Sequence, residues 1–269
     1  MTARGVHALR YAYRTESVKG EHFYGHPEDC TAPWPIHYFT WVVVDEDAVT
    51  VVDAGFTREE AQRRGARTYL GSPVELLGEL GVDPADVDHL VLTHLHYDHT
   101  GHLGDYPNAR LWVQRRELDF WNGPFAHRGA NAHLRPHEDL ERLGALVDAG
   151  RVTLLDGDAA ITGRVGVHLV GGHTAGMQVV RVDGPDGVVV LASDASHFYA
   201  NHEQDRPYAI AHDVPAMHAA FDRLSELAGA DGVVVPGHDP LVGERHEPVP
   251  GSGDRIIRLR PRERQEGRA

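Results

Sequence analysis

The densest concentration of metal-binding chemistry is the run Thr93-His94-Leu95-His96-Tyr97-Asp98-His99, which places four donor side chains within six residues. Residues two apart at the end of a strand project to the same side, so His94 and His96 can converge on one cation. The chain must then turn, and Asp98 with His99 can face a second cation beside the first. Imidazole and carboxylate suit zinc, and also iron, manganese or cobalt. Four donors from one segment cannot complete two sites, so later donors are needed. Gly171-Gly172-His173, Asp194 at the end of VVVLASD, and Pro236-Gly237-His238 each follow an apolar run. The glycines allow backbone to approach a site closely.

The elements that must position these residues are short apolar strands alternating with helical stretches. Residues 39–44 and 48–53 read as a hairpin across Asp45-Glu46-Asp47. Residues 72–80 open with Ser-Pro and stop at Gly81, as a helix should. HLVLT, residues 89–93, is a buried strand that runs directly into the histidine cluster. Further strands are expected at 110–114, 151–155, 165–170, 177–183, 187–192 and 232–235. A helix is expected over 214–228, where Met217, Phe221, Leu224 and Leu227 mark one face. Two runs of strands, each followed by helices, suggest two sheets packed face to face with helices outside.

The whole chain of 269 residues is expected to form one domain. Residues 17–37 and 119–137 are irregular and rich in aromatics and histidine, and are expected to be loops that wall a substrate pocket. Residues 254–269 form an Arg-rich tail, expected to be solvated and partly disordered.

Composition narrows the chemistry. The single cysteine, Cys30, rules out an internal disulfide and a Cys-rich zinc site, so any metal falls to the 20 histidines and the carboxylates. The formal charge of −14 argues against a nucleic-acid partner, because a backbone binder needs a basic field. No run approaches the length of a membrane span. Residues 1–20 are polar and lack the apolar core of a secretory signal, so a cytoplasmic location is expected. The oligomeric state is left open.

Taken in order, His94-x-His96-x-Asp98-His99, His173, Asp194 and His238 resemble the metallo-β-lactamase superfamily over roughly residues 38–240. The resemblance implies an α+β, four-layer αββα sandwich with two divalent metals, zinc first among them, at one edge of the sheets. It further implies that His94, His96 and His173 hold one metal, that Asp98, His99 and His238 hold the other, and that Asp194 bridges. Asp53, in Val-Val-Asp-Ala-Gly, matches a position that orients the metal loop.

Within the superfamily, Asp194 stands where true β-lactamases carry cysteine or serine. His96 stands where flavodiiron proteins use a carboxylate. About thirty residues follow His238, too few for a glyoxalase-type helical region. The acidic balance disfavours the tRNA-processing branch. The chain is most similar to the N-acyl-homoserine lactonase group, through Leu191-Ala-Ser-Asp194-Ala-Ser196, the Gly172–Gly176 loop and overall length.

That similarity implies a hydrolase that opens a small lactone or related ester by attack of a metal-bridging hydroxide. One departure stands out. Those lactonases place a tyrosine three residues after the bridging aspartate, and here that residue is His197, with Tyr199 two further on. The expected catalytic residues are therefore Asp98 and either His197 or Tyr199 as proton carrier. Alternatives are a thioester or cyclic amide hydrolase, a single-iron oxidoreductase similar to the persulfide dioxygenases, and a non-catalytic metal-binding protein.

Overall fold

The structure, a computed structural model, describes residues 4–261. Among the described residues, fourteen strands run β1 (Gly5–Arg14), β2 (Ile36–Val44), β3 (Val49–Val52), β4 (Thr68–Tyr69), β5 (His89–Val91), β6 (Arg110–Gln114), β7 (Val152–Leu155), β8 (Ala159–Ala160), β9 (Val165–Leu169), β10 (Gln178–Gly184), β11 (Gly187–Ser193), β12 (Val233–Pro236), β13 (Glu247–Pro248) and β14 (Ile256–Leu259). They form two mixed sheets. The larger has the order β13-β14-β1-β2-β3-β5-β6-β7 with β4 beside β1, and the smaller has β12-β11-β10-β9-β8.

Alternation along β2 shows why two sheets pack. Phe39, Trp41 and Val43 enter one buried cluster together with Val167, Val180 and Leu191 of the smaller sheet. Tyr38, Val42 and Val44 enter a second cluster that includes the helical residues Leu76, Leu77, Leu143, Phe221 and Leu224. A strand with period two feeds both faces in this way. The result is the expected α+β sandwich, with sheets inside and helices outside.

The hairpin forms as expected, with Trp41 opposite Val52 and Val44 opposite Val49. Helix Pro73–Glu79 carries the Ser72 cap, whose hydroxyl accepts from the Glu75 amide while Glu75 reaches back to the Ser72 amide. Helix Val214–Ala228 is capped by Asp213 and buries Met217, Phe221, Leu224 and Leu227.

Two expectations need correction, and the first strand was not among those expected. β1 reads poorly as a strand in sequence because His7, Arg10 and Arg14 interrupt its apolar residues, and its register shifts between Arg10 and Ala12. Yet it pairs with β2, β14 and β4 and lies inside the larger sheet. Residues 119–137 are not one irregular loop: they hold the end of helix Arg115–Asn122 and the short helix Ala130–Leu134, separated by the Gly123-Pro124 break. The start of the Arg-rich tail is not free either. β14 pairs with β1 from Val6–Leu259 to Leu9–Ile256, Arg255 meets Glu79 at 3.0 Å, and Arg260 meets Glu247 at 2.6 Å. Arg262, Arg264 and Arg268 lie outside the described residues.

A candidate dinuclear metal centre

The C-terminal ends of β3, β5, β11 and β12 and the β9–β10 turn meet at one edge of the sandwich, carrying Asp53, His94–His99, Asp194, His238 and His173. The sheets touch there, since the Gln178 amide donates to the Thr93 carbonyl at 2.9 Å. Two glycines allow the approach. A Cβ on Gly237 would stand 2.7 Å from Asp194 Oδ1, and one on Gly172, at φ +86°, would stand 2.8 Å from the Met217 backbone.

The seven expected donors converge. His94, His96, His173 and Asp194 form one buried group, and Asp98, His99 and His238 form another, with the donor atoms of each group within 4.8 Å of one another. In the first group, His96 Nδ1 lies 2.9 Å from His94 Nε2 and 3.1 Å from His173 Nε2. Asp194 Oδ2 stands 3.7 Å from His94 Nε2 and 3.4 Å from His173 Nε2. Ligands about 2.0–2.1 Å from a tetrahedral zinc are separated by roughly 3.3 Å, so these spacings fit. In the second group, Asp194 Oδ1 lies 3.4 Å from His99 Nε2 and 3.0 Å from His238 Nε2, with Asp98 3.8 Å and 3.9 Å from the same imidazoles. One carboxylate thus shows an oxygen to each group.

The backs of the imidazoles are fixed. His99 Nδ1 donates to Asp53 Oδ2, His173 Nδ1 to the Ile210 carbonyl and His238 Nδ1 to the His37 carbonyl, each at 2.8 Å. Each bond leaves Nε2 as the free donor atom, as such outer contacts do in metal sites. Asp53 also accepts from the Thr93 amide, the Thr93 hydroxyl and the Ser193 hydroxyl, at φ +62°. Left-handed backbone at a buried aspartate is costly, and here it serves the metal loop.

Electrostatics match a cation site. Burial and the neighbouring imidazoles hold His94 and His96 well below the usual histidine range. Burial opposes ionisation of Asp194, but His197, His238 and His99 hold its carboxyl well below the usual range. Burial also opposes charge on His99, yet Asp53, Asp194 and Asp98 push it well above the usual range. His99 Nε2 and Asp194 Oδ1 are buried without a hydrogen-bond partner. Buried polar atoms without partners are rare in folded proteins, and a divalent cation between them would satisfy both. The donor set therefore fits two metal ions.

The two candidate proton carriers separate. His197 is buried beside the centre, with Nε2 2.9 Å from Asp194 Oδ2 and Nδ1 lacking a partner. Tyr199 is not at the centre. It begins helix Tyr199–Glu203 and packs in the inter-sheet cluster, with its hydroxyl 3.3 Å from His246 Nε2 and Arg245 over its ring. The turn after Asp194 points residue 199 into the core, so the Tyr199 expectation is overturned.

Several residues at the centre gave no signal in sequence. Tyr208 stacks on His197 with ring centroids 3.3 Å apart and planes 7° from parallel. His22 Nε2 must donate to the Trp34 carbonyl at 3.1 Å, so its Nδ1 accepts the Tyr208 hydroxyl proton at 3.2 Å. Glu117 is fully buried; it accepts from the Leu95 amide, the Trp121 indole and the Gly176 amide, at 3.1, 2.7 and 2.6 Å. It ties the His94–His99 loop to the Gly172–Gly176 loop. Glu117 and Tyr208 lie outside any periodic pattern or donor cluster, and His22 stands out only as part of the histidine-rich segment 17–37, so spacing does not reveal their contacts.

A cavity of about 190 Å³ opens onto this centre, lined by His96, Asp98, His173, Asp194, His197 and His238 together with Tyr38 and Tyr208. A second lobe of similar size shares His96 and His173 and is walled by Phe120 and Trp121. Of the aromatics in residues 17–39 and 119–127, Tyr38, Phe120 and Trp121 line these cavities. Phe23 and Trp34 instead pack on Phe198, and Tyr24 and Phe125 are 59% and 60% exposed. Among the described residues, no helix is long and apolar enough to cross a membrane.

An N-acyl homoserine lactonase, AttM, from Azorhizobium caulinodans is 34% identical over 184 residues, covering 65% of this chain and 66% of that protein. The AiiA lactonase of Bacillus thuringiensis subsp. kurstaki is 26% identical over 168 residues, 62% of this chain and 61% of that protein. The chain thus spans just under two thirds of these relatives' lengths. A quorum-quenching N-acyl homoserine lactone lactonase superposes with a TM-score of 0.72 at 21% identity, over 89% of this chain and 94% of that one. AidC, a dizinc quorum-quenching lactonase, superposes with a TM-score of 0.67 at 18% identity, over 88% and 89%. The sequence profile of the metallo-beta-lactamase superfamily matches residues 34–238, and the chain belongs to that superfamily.

Proposed function

We propose that this protein is a metal-dependent hydrolase that opens a lactone or a closely related ester. The observation that carries this reading is the Asp194 carboxylate, which offers Oδ2 to His94 and His173 and Oδ1 to His99 and His238. Two divalent ions held by these residues, with zinc first among the metals that imidazole and carboxylate suit, would supply a nucleophile of lowered pKa and polarise the substrate carbonyl. The remaining work falls to the protein. Asp98 completes the second donor group. His197 stands where the lactonase tyrosine would be, and holds a proton within reach of Asp194 and the substrate. Tyr208 fixes the plane of His197 by stacking, and His22 fixes Tyr208 through its hydroxyl.

The lactonase relatives and the second donor group, Asp98, His99 and His238, favour two-ion hydrolysis over single-iron oxidative chemistry. Elemental analysis of the loaded protein should find two divalent ions per chain, and a panel of lactones should be hydrolysed. The variant Asp98→Ala should lose one ion and nearly all turnover. Full turnover by that variant, or a loaded protein inert to every lactone and ester, would overturn the proposal.

A further inference from the structure

The cavity at the donor residues is also lined by three arginines, Arg14, Arg64 and Arg67. This is unexpected in a chain of net charge −14. Two of the three have a carboxylate partner. Arg14 pairs with Glu21 at 2.8 Å, and Arg64 pairs with Glu60 and donates to the His133 carbonyl at 2.7 Å. Arg67 differs. Its hydrogen bonds run to the Gly65 carbonyl at 2.9 Å and the Tyr97 hydroxyl at 3.0 Å, both uncharged oxygens. The Nε–H groups of Arg67 and Arg14 are buried with no acceptor.

Tyr97 holds this cation in register with the chemistry. It sits in the chain between His96 and Asp98, so its hydroxyl ties Arg67 to the loop that carries four donors. The Arg64 guanidinium lies 3.2 Å over the Tyr97 ring, which fixes the phenol from its face. A planar guanidinium matches a carboxylate with two parallel hydrogen bonds, and strongly so where water is sparse.

We infer that the substrate carries a carboxylate, which Arg67 binds while the scissile carbonyl faces Asp194 and His197. This inference rests on the hydrolytic reading above and narrows its substrate class to anionic lactones or esters. Uncharged substrates forgo the Arg67 contact. The cavity of about 190 Å³ favours a compact ring over a long chain near the arginines.

The test compares γ-butyrolactone with the same ring bearing a carboxylate on its β-carbon, using the metal-loaded full chain and its Arg67→Met variant. The acidic ring should be favoured in kcat/KM by roughly ten- to a hundredfold, the scale of one charge-assisted hydrogen bond pair. Arg67→Met should erase that preference, mainly through KM, so that the ratio of kcat/KM between the acidic and the neutral ring falls to about one. Calorimetry with the two ring-opened hydroxy acids provides a readout independent of turnover. The extra carboxylate should tighten binding to wild type by a similar factor, and the gain should vanish in the variant.

Equal turnover of both rings with no binding gain overturns the inference while leaving lactone hydrolysis intact. A gain that persists in Arg67→Met also overturns it, since the metals would then be the anion's partner. A binding gain that depends on Arg67, with neither ring opened, upholds the anion site and rejects the lactone reading instead.

Discussion

At the scale of single residues, the centre depends as much on what stands behind the donors as on the donors themselves. Asp53 accepts four hydrogen bonds, and one of them sets which nitrogen His99 presents. Replacing it with Asn should lower metal affinity at the second group by about ten- to a hundredfold, read by chelator competition. Glu117 has the same standing for the first group. Glu117→Ala would strand the Leu95 and Gly176 amides and the Trp121 indole, and should destabilise the fold by about 3 kcal/mol in urea titrations. His197→Ala should reduce kcat sharply at unchanged metal content. An unaltered kcat would remove His197 from the mechanism.

At the scale of elements, the donors are placed by strand ends, and the turns after them tolerate little change. Gly172 combines φ +86° with a Met217 backbone only 2.8 Å from where a Cβ would lie. Gly172→Ala should therefore push the His173 turn away from helix Val214–Ala228 and weaken the first donor group, while secondary structure by circular dichroism stays intact. The helix itself is anchored by Asp213, whose side chain accepts from the Ala216 amide at 3.0 Å. Asp213→Ala should cost about 1 kcal/mol of stability, the usual value of an N-cap. The strand expectations at 110–114 and 187–192 correspond to β6 and β11 to within a residue, because continuous apolar runs of that length mark buried strands. Helix His137–Asp148, by contrast, is amphipathic yet lies just beyond a segment whose histidines and aromatics suggested a loop.

At the scale of the whole molecule, burial of imidazoles links stability to acidity. His7 sits inside the larger sheet, and burial, then the Arg258 charge, lower its pKa to about 4. His202 is lowered to about 4 as well, by burial first. In the unfolded chain both titrate near 6.5. Between these values the unfolded state binds more protons, so stability is fully present above about pH 6.5 and is lost as pH falls toward 4. For His7 the loss from pH 7 to pH 5 should be on the order of 2 kcal/mol. The variant His7→Gln should show a smaller shift in urea midpoint across that interval than wild type.

That His94, His96, Asp98, His99, His173, Asp194 and His238 would meet was legible in the sequence, because residue types and spacings that suit a metal are local properties. Histidines two apart on a strand end and Gly-His turns after apolar runs carry their meaning locally. The two sheets were legible for the same reason, since apolar runs and alternation are local properties. The position of Tyr199 in the core, the stacking of Tyr208 on His197, the tie from Glu117 across two loops and the arrival of Arg67 at the cavity were settled only in three dimensions. Each depends on contacts between segments far apart in the chain, and neither residue type nor spacing encodes which distant loops will meet.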